Sequence, residues 1–381
     1  MVWTTAVFQS ALVASISIAT NAQDLSLVVD HTVAGTFLEL ALERFESRTG
    51  TPASVNGGVS TIEQVQLVRV PKAGSSQASE IARRLAGCFP RGSCCHFPGD
   101  PPGSCPAQGL MCPEVIGCVG HSMNPSRMEQ LRDPAIFSMS NLRDPVDRMI
   151  SGIFYTKPHS PDCARDPSVD LGTCFETMTE AVDFQNVAAR MMAGHRSYAG
   201  QPICMEGCDN SLSEVLSGAC SLNYVTMCET WQSSVLLLFE TLPWMEPSPD
   251  FFPLPAGEDA ESMHPYRLMG SKDGKGYTIS RKQSSAEHDA QIALITPEMR
   301  ERARLANPVD EALYLFVTAK FCLRLRDAGL LHHPLVEAEL AQHQPTYASR
   351  CNDEAWVANT LARFAPQTPE KCRLYEPFQR P

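Results

Sequence analysis

The sequence predicts an α/β protein built on a mostly parallel sheet with helices over its faces. Three observations carry that expectation. Runs of β-branched and aliphatic residues alternate with segments of helical apolar spacing, as parallel strands joined by helical crossovers require. Two of these runs lead directly through a tight turn into a helix start. With 381 residues and 43% hydrophobic content, the chain also has enough apolar side chain to cover such a sheet.

The elements follow in order. Residues 1–22 form a leader without charged side chains, with an apolar stretch from Ala6 to Ala19 and small residues at Thr20-Asn21-Ala22. It reads as a cleaved secretory signal or as a signal anchor, and the interrupting Ser and Gln disfavour a stable membrane span. From Asp24 to Gly50, Val33, Phe37, Leu38, Leu40, Ala41 and Phe45 recur at helical spacing. They predict a helix serving as a stem or packed on the domain, within an extension over 23–59. The main domain is expected over 60–381.

Val65 to Val70 reads as a strand, and Gln77 to Leu85 as a helix with Ile81, Ala82 and Leu85 on one face. Residues 88–118 are rich in Pro and Gly and hold Cys88, Cys94, Cys95, Cys105, Cys112 and Cys118, so a disulfide-tied insertion is expected there. Pro134 to Asn141 contains a second strand. Asp144 as N-cap and Pro145 at the first helical position then open a helix with Val146, Met149, Ile150, Ile153 and Phe154 on its buried face. Residues 157–175 read as a loop that Cys163 and Cys174 could close. Further helices are expected at 177–194, 229–241, 297–306 and 308–327, and Pro243 to Pro255 holds too much proline for regular structure.

The chemistry concentrates where the two strands end. Pro71-Lys72-Ala73-Gly74-Ser75-Ser76 joins the first strand to its helix. A helix start presents unpaired N–H groups and positive potential, small residues let an oxyanion approach the backbone, and Lys72 adds a full charge. Lys72 precedes Gly74, whereas a Walker A loop places its lysine after the last glycine, so an ATP-binding loop is disfavoured. After the second strand, Arg143 stands at the mouth of the next helix, where its planar fork can hold a phosphate through two hydrogen bonds. Ser151 lies two turns further on.

With these residues the chain resembles the Golgi-type carbohydrate sulfotransferases. The segment from Pro71 to Ser76 is similar to that family's 5'-phosphosulfate loop, commonly Pro-Lys-Thr-Gly-Ser-Thr. Arg143 and Ser151, within Arg-Asp-Pro-x-x-Arg-x-x-Ser, resemble its 3'-phosphate site. Asn186, Arg190 and Gly194, then Tyr224 to Glu229, then Asn307-Pro308-Val309-Asp310, fall in the family's order. The resemblance runs from about residue 64 to 325. Ala73, Gln77 and Ala188 depart from the usual residues, and none of these changes removes a charge from the donor loops.

The resemblance implies a P-loop-like sulfotransferase fold and a donor, 3'-phosphoadenosine 5'-phosphosulfate. Lys72, Ala73, Gly74, Ser75, Ser76, Gln77, Arg143 and Ser151 are then the donor-binding residues, with Lys72 at the leaving oxygen. His121, in Val119-Gly120-His121-Ser122, resembles the Gly-His segment that supplies the base in relatives acting on uronic-acid 2-hydroxyls. Glu80, just after the donor loop, is the alternative base. The acceptor implied is a carbohydrate hydroxyl. A small molecule or protein tyrosine as acceptor, or a catalytically silent disulfide-rich binding protein of the same fold, are the alternatives. Ser271 to Lys282 is a dense basic loop that fits the donor, an acidic glycan or plain solvent.

Composition sets bounds on these readings. A net charge of −12 with 29 prolines excludes a general nucleic-acid binder. Fifteen cysteines point to an oxidising lumen, in the Golgi or secreted, and leave at least one thiol outside intrachain pairs. Cys94-Cys95-His96 lacks the repeated Cys-x-x-Cys of a zinc site, and no carboxylate cage for a metal is evident, so none is expected.

Overall fold

The computed structural model describes residues 22–50, 115–116, 131–156, 170–195, 205, 211–247, 292–343 and 345–378, together with positions 62, 65–68, 70, 71, 73, 78, 81, 82 and 85. It is α/β, with a small parallel sheet flanked by helices.

Helix α1 (Ala22–Thr49) is followed by β1 (Val65–Val68), whose four residues are all buried. Helical turns at Ala78, Ile81, Ala82 and Leu85 come next, all buried as the spacing predicts. Strand β2 (Val115–Ile116) pairs parallel with β1, Val65 opposite Val115. It falls inside the segment read from sequence as an insertion, so the end of 88–118 belongs to the sheet. Its six cysteines lie outside the described residues.

Strand β3 (Phe137–Leu142) runs parallel to β1 on the other side, with Val65 opposite Phe137 and Val68 opposite Ser140. Strand β4 (Tyr224–Met227) pairs with the end of β3 and completes the order β2-β1-β3-β4. Side chains on both faces of β1, β3 and β4 are buried, and the serines that alternate with Phe137 and Met139 on β3 bond their hydroxyls inside the protein.

Between β3 and β4 lie α2 (Pro145–Thr156), α3 (Leu171–Glu180), a single 3-10 turn (Val182–Phe184), α4 (Val187–Met192) and α5 (Leu212–Ser221). The sequence predicts one helix over 177–194, but the chain breaks it at the 3-10 turn and at Asn186, whose φ of 48° is left-handed. Helix α4 closes on Gly194, at φ 85°, with His195 N–H reaching the Arg190 carbonyl at 2.8 Å and Gly194 N–H reaching Met191 at 3.1 Å.

After β4 come a 3-10 turn (Cys228–Thr230), α6 (Trp231–Thr241), α7 (Pro297–Ala306) and α8 (Pro308–Asp327). The bounds of α7 and α8 match expectation: Thr296 caps α7 ahead of Pro297, and Pro308 stands at the first position of α8. Helices α9 (Pro334–His343), α10 (Pro345–Asn352) and α11 (Glu354–Phe364) finish the helical part. Val146, Met149, Ile150 and Ile153 of α2 form a small core with Phe175, Met178, Met299 and Ala303, and most of the remaining buried apolar residues form a larger core around the sheet.

Helix α1 is packed on the domain rather than standing off it. Phe37 and Ala41 enter the main core, and Arg44 and Arg48 both reach Glu240 of α6, at 2.6 and 3.1 Å. At the far end, disulfides join Cys220 to Cys372 and Cys322 to Cys351. The C-terminal segment is fastened to the sheet beyond them. Arg373 reaches Asn223 Oδ1 at 2.8 Å, and the Tyr375 hydroxyl donates to the Val225 carbonyl at 2.8 Å. Disulfides of this kind mark an oxidising secretory or extracellular environment. Among the described residues no helix is long and apolar enough to cross a membrane.

Candidate functional site

In open parallel sheets a ligand crevice forms at the carboxyl ends of the strands where the strand order reverses. Here the chain leaves β1 for β2 on one side and returns to β3 on the other, so the reversal lies between β1 and β3. Val70, Pro71 and Ala73 follow the end of β1. Arg143 follows the end of β3. The two loops singled out by sequence therefore emerge side by side.

Asn141, near the end of β3, ties them together. Its Nδ2 donates to the carbonyls of Val70 at 2.9 Å and Ala73 at 2.7 Å, while its Oδ1 accepts from Val70 N–H at 3.3 Å. Asn141 is fully buried, so these bonds are made away from water, where leaving them unmade is costly. Ser140 adds a bond from its hydroxyl to the Val68 carbonyl at 2.8 Å. The entry to the small-residue loop is thus held at three backbone positions by two β3 side chains. Ala73 is itself fully buried, which accounts for a small apolar residue where the resembled family uses Thr.

Asp144 anchors the second loop. Its Oδ1 caps α2 through the N–H groups of Val146 at 2.9 Å and Asp147 at 3.1 Å, as the Asp-Pro signature predicts. Its Oδ2 pairs with Arg304 of α7 at 3.0 Å, and its own N–H donates to Glu229 Oε1 at 2.6 Å.

The arginines of the quoted motifs have different tasks. Arg148 is buried against Asp310 of α8 at 3.4 Å and donates to the Phe184 carbonyl at 3.2 Å. Arg190 is buried among the carbonyls of Val182, Asp183 and Gln185, the first two at 2.8 and 3.0 Å. Arg143 is half-buried, and among the described residues its guanidinium makes no hydrogen bond or ion pair. Its charge is felt by Cys228 and Glu229, on the turn after β4.

Asn186 and Asp310 form a reciprocal cap. Asn186 Oδ1 accepts from Val309 and Asp310 N–H at 3.0 and 3.1 Å, opening α8, while Asp310 Oδ1 accepts from Ala189 N–H at 2.7 Å, opening α4. Asn307 Oδ1 accepts from Asn186 N–H at 2.8 Å. The Asn-x-x-x-Arg-x-x-x-Gly and Asn-Pro-x-Asp segments thus lock α4 to α8 in this chain.

Ser151 lies on the half-buried side of α2, one turn beyond Asp147, which bonds Arg300 at 3.3 Å. Cys228, after β4, is a free, half-buried thiol whose pKa burial pushes up to about 11, with the charge of Arg143 opposing that rise. Burial likewise raises the Glu229 carboxyl to about 7, opposed by the Asp144 N–H bond and by Arg143. Lys72, Gly74, Ser75, Ser76, Gln77, Glu80 and His121 lie outside the described residues, as do Cys163 and the basic loop from Ser271 to Lys282. Cys174 is buried on α3. Among the described residues no cluster of His, Cys, Asp and Glu could hold a metal ion.

No family model, curated protein or solved structure matches the chain. The functional reading therefore rests on the residues and their geometry. Sequence reasoning missed Asn141 and the contact of Glu229 with Asp144. Neither carries a spacing signal, because each acts on a backbone group that only the fold brings near.

Proposed function

We propose that this chain is a sulfotransferase that moves the sulfuryl group of 3'-phosphoadenosine 5'-phosphosulfate to a carbohydrate hydroxyl, in the Golgi lumen or a later secretory compartment. What supports the reading is that Val70 and Ala73, flanking the position of Lys72, and Arg143, whose guanidinium makes no hydrogen bond or ion pair among the described residues, follow the neighbouring strands of the β1/β3 reversal. A nucleotide with anionic groups on both its 3' and 5' sides needs two such grips, set apart but on one crevice. Asn141 fixes their relation.

In this reading Arg143, with Ser151 beside the helix, takes the 3'-phosphate. The backbone from Gly74 to Ser76 and the serine hydroxyls take the 5'-phosphate. The bond from sulfur to the bridging phosphate oxygen breaks, Lys72 stabilises the charge left on that oxygen, and the acceptor oxygen bonds to sulfur. The acceptor proton passes to His121, imidazole being the side chain whose ordinary pKa suits proton removal near neutrality, or to Glu80.

Transfer of labelled sulfate from the donor to a panel of glycans, with tyrosine peptides and small phenols alongside, tests the reading. Label on a glycan hydroxyl supports it. Label on the peptides or phenols alone moves the acceptor class, and no label on any acceptor overturns the assignment.

A further inference from the structure

We propose that Glu229 is a positioning residue for the anion grip, holding the peptide between Arg143 and Asp144 so that the Arg143 side chain enters the crevice in one orientation. The inference rests on the donor role proposed for Arg143.

The N–H that Glu229 Oε1 accepts at 2.6 Å belongs to the peptide bond joining Arg143 to Asp144. Fixing that plane fixes the backbone of Arg143 on its carboxyl side. Helix α2 does not need this bond for its own start, because the Asp144 side chain already caps Val146 and Asp147. Arg304 holds the same residue through its other carboxylate oxygen. The turn is therefore clamped from the 3-10 turn after β4 and from α7, and both clamps act beside Arg143 rather than along the helix.

A carboxylate is a costly group to bury for packing alone. Glu229 Oε2 is buried and has no hydrogen-bond partner among the described residues. Among the described residues the charged and titratable groups that act on or feel this side chain are Arg143 and Asp144 from the end of β3, Cys228 on its own turn, Tyr314 of α8 and Tyr347 of α10. Among the described residues Arg143 is the cation that acts on the Glu229 carboxyl. Glu229 thus both holds the peptide of Arg143 and draws on its charge.

The test compares full-length wild type, Glu229→Gln and Glu229→Ala by hydrogen exchange at the Asp144 amide and by calorimetric titration with 3'-phosphoadenosine 5'-phosphate. A glutamine oxygen can accept the same bond. Glu229→Gln should keep Asp144 protected and bind the nucleotide within a few-fold of wild type. Glu229→Ala should lose the protection and bind about tenfold or more weakly, the range for a lost bond to a charged group. Glu229→Leu keeps the side-chain bulk and serves the same comparison if the alanine variant does not fold. Equal nucleotide affinity in the glutamine and the alanine or leucine variants overturns the positioning role. A wild-type chain that binds no nucleotide while Asp144 exchange still separates the variants overturns the donor reading instead.

Discussion

Asn141 Nδ2 donates to the Ala73 carbonyl at 2.7 Å, and through that bond the loop after β1 is held by the strand next to it. Strand pairing alone ends at Val68 and Ser140. One buried amide extends the β1–β3 contact into the loops, where a ligand would bind.

Asn141→Ala removes two donated bonds and one accepted bond, leaving the Val70 and Ala73 carbonyls buried without their partner. Each such group costs about 1–3 kcal/mol, partly relieved by local shifts. A loss of about 2–4 kcal/mol in urea unfolding is expected, with weaker nucleotide binding. Unchanged stability would show that the loop does not depend on this residue.

Arg143 and Arg148 stand in one motif and should separate by assay. Arg148→Ala breaks a buried pair with Asp310 and should cost about 3–5 kcal/mol in the same unfolding experiment. Arg143→Ala should stay within about 0.5 kcal/mol of wild type, because no described contact depends on its guanidinium.

That division shows how far the sequence could be read. Asp144-Pro145 and Thr296-Pro297 announce their helices because capping chemistry is local, and Pro308 marks the start of α8 by its fixed backbone angle. The β1 strand was legible from its run of β-branched and aliphatic residues. Strand β4 was not, since Tyr224-Val225-Thr226-Met227 is short and buried on both faces, and β2 has two residues in a cysteine-rich segment. Asn186 and Arg190 read only as part of a segment resembling a family pattern, with no task assigned, and in the fold they cap α8 and bind carbonyls. Their partners are distant in sequence, so spacing could not reveal the task.

Glu229 makes stability depend on pH. Its folded pKa, raised from 4.5 to about 7, exceeds that of the unfolded chain, so the folded state holds the proton more tightly. The associated stability is fully present below about pH 4.5 and is lost as pH rises through about 7, a change of about 3 kcal/mol. Glu229→Gln should abolish this component. The difference in unfolding free energy between variant and wild type should therefore shift in the variant's favour from pH 4.5 to pH 8, and a constant difference would refute the shifted carboxyl.

Non-reducing peptide mapping should recover Cys220 linked to Cys372 and Cys322 linked to Cys351. Replacing either pair by alanine should cost about 2–5 kcal/mol, and loss of the first should also expose the Arg373 to Phe378 segment to exchange. Finding these four cysteines as thiols in secreted protein would contradict the oxidising placement.

The most direct measurement is calorimetric titration of wild type, Arg143→Ala and Arg148→Lys with 3'-phosphoadenosine 5'-phosphate, the product that keeps both anionic ends of the donor. Wild type should bind one equivalent, Arg143→Ala should bind far more weakly while remaining folded, and Arg148→Lys, which keeps a cation opposite Asp310, should bind close to wild type. Equal affinity in wild type and Arg143→Ala, or no binding by wild type, would contradict the account.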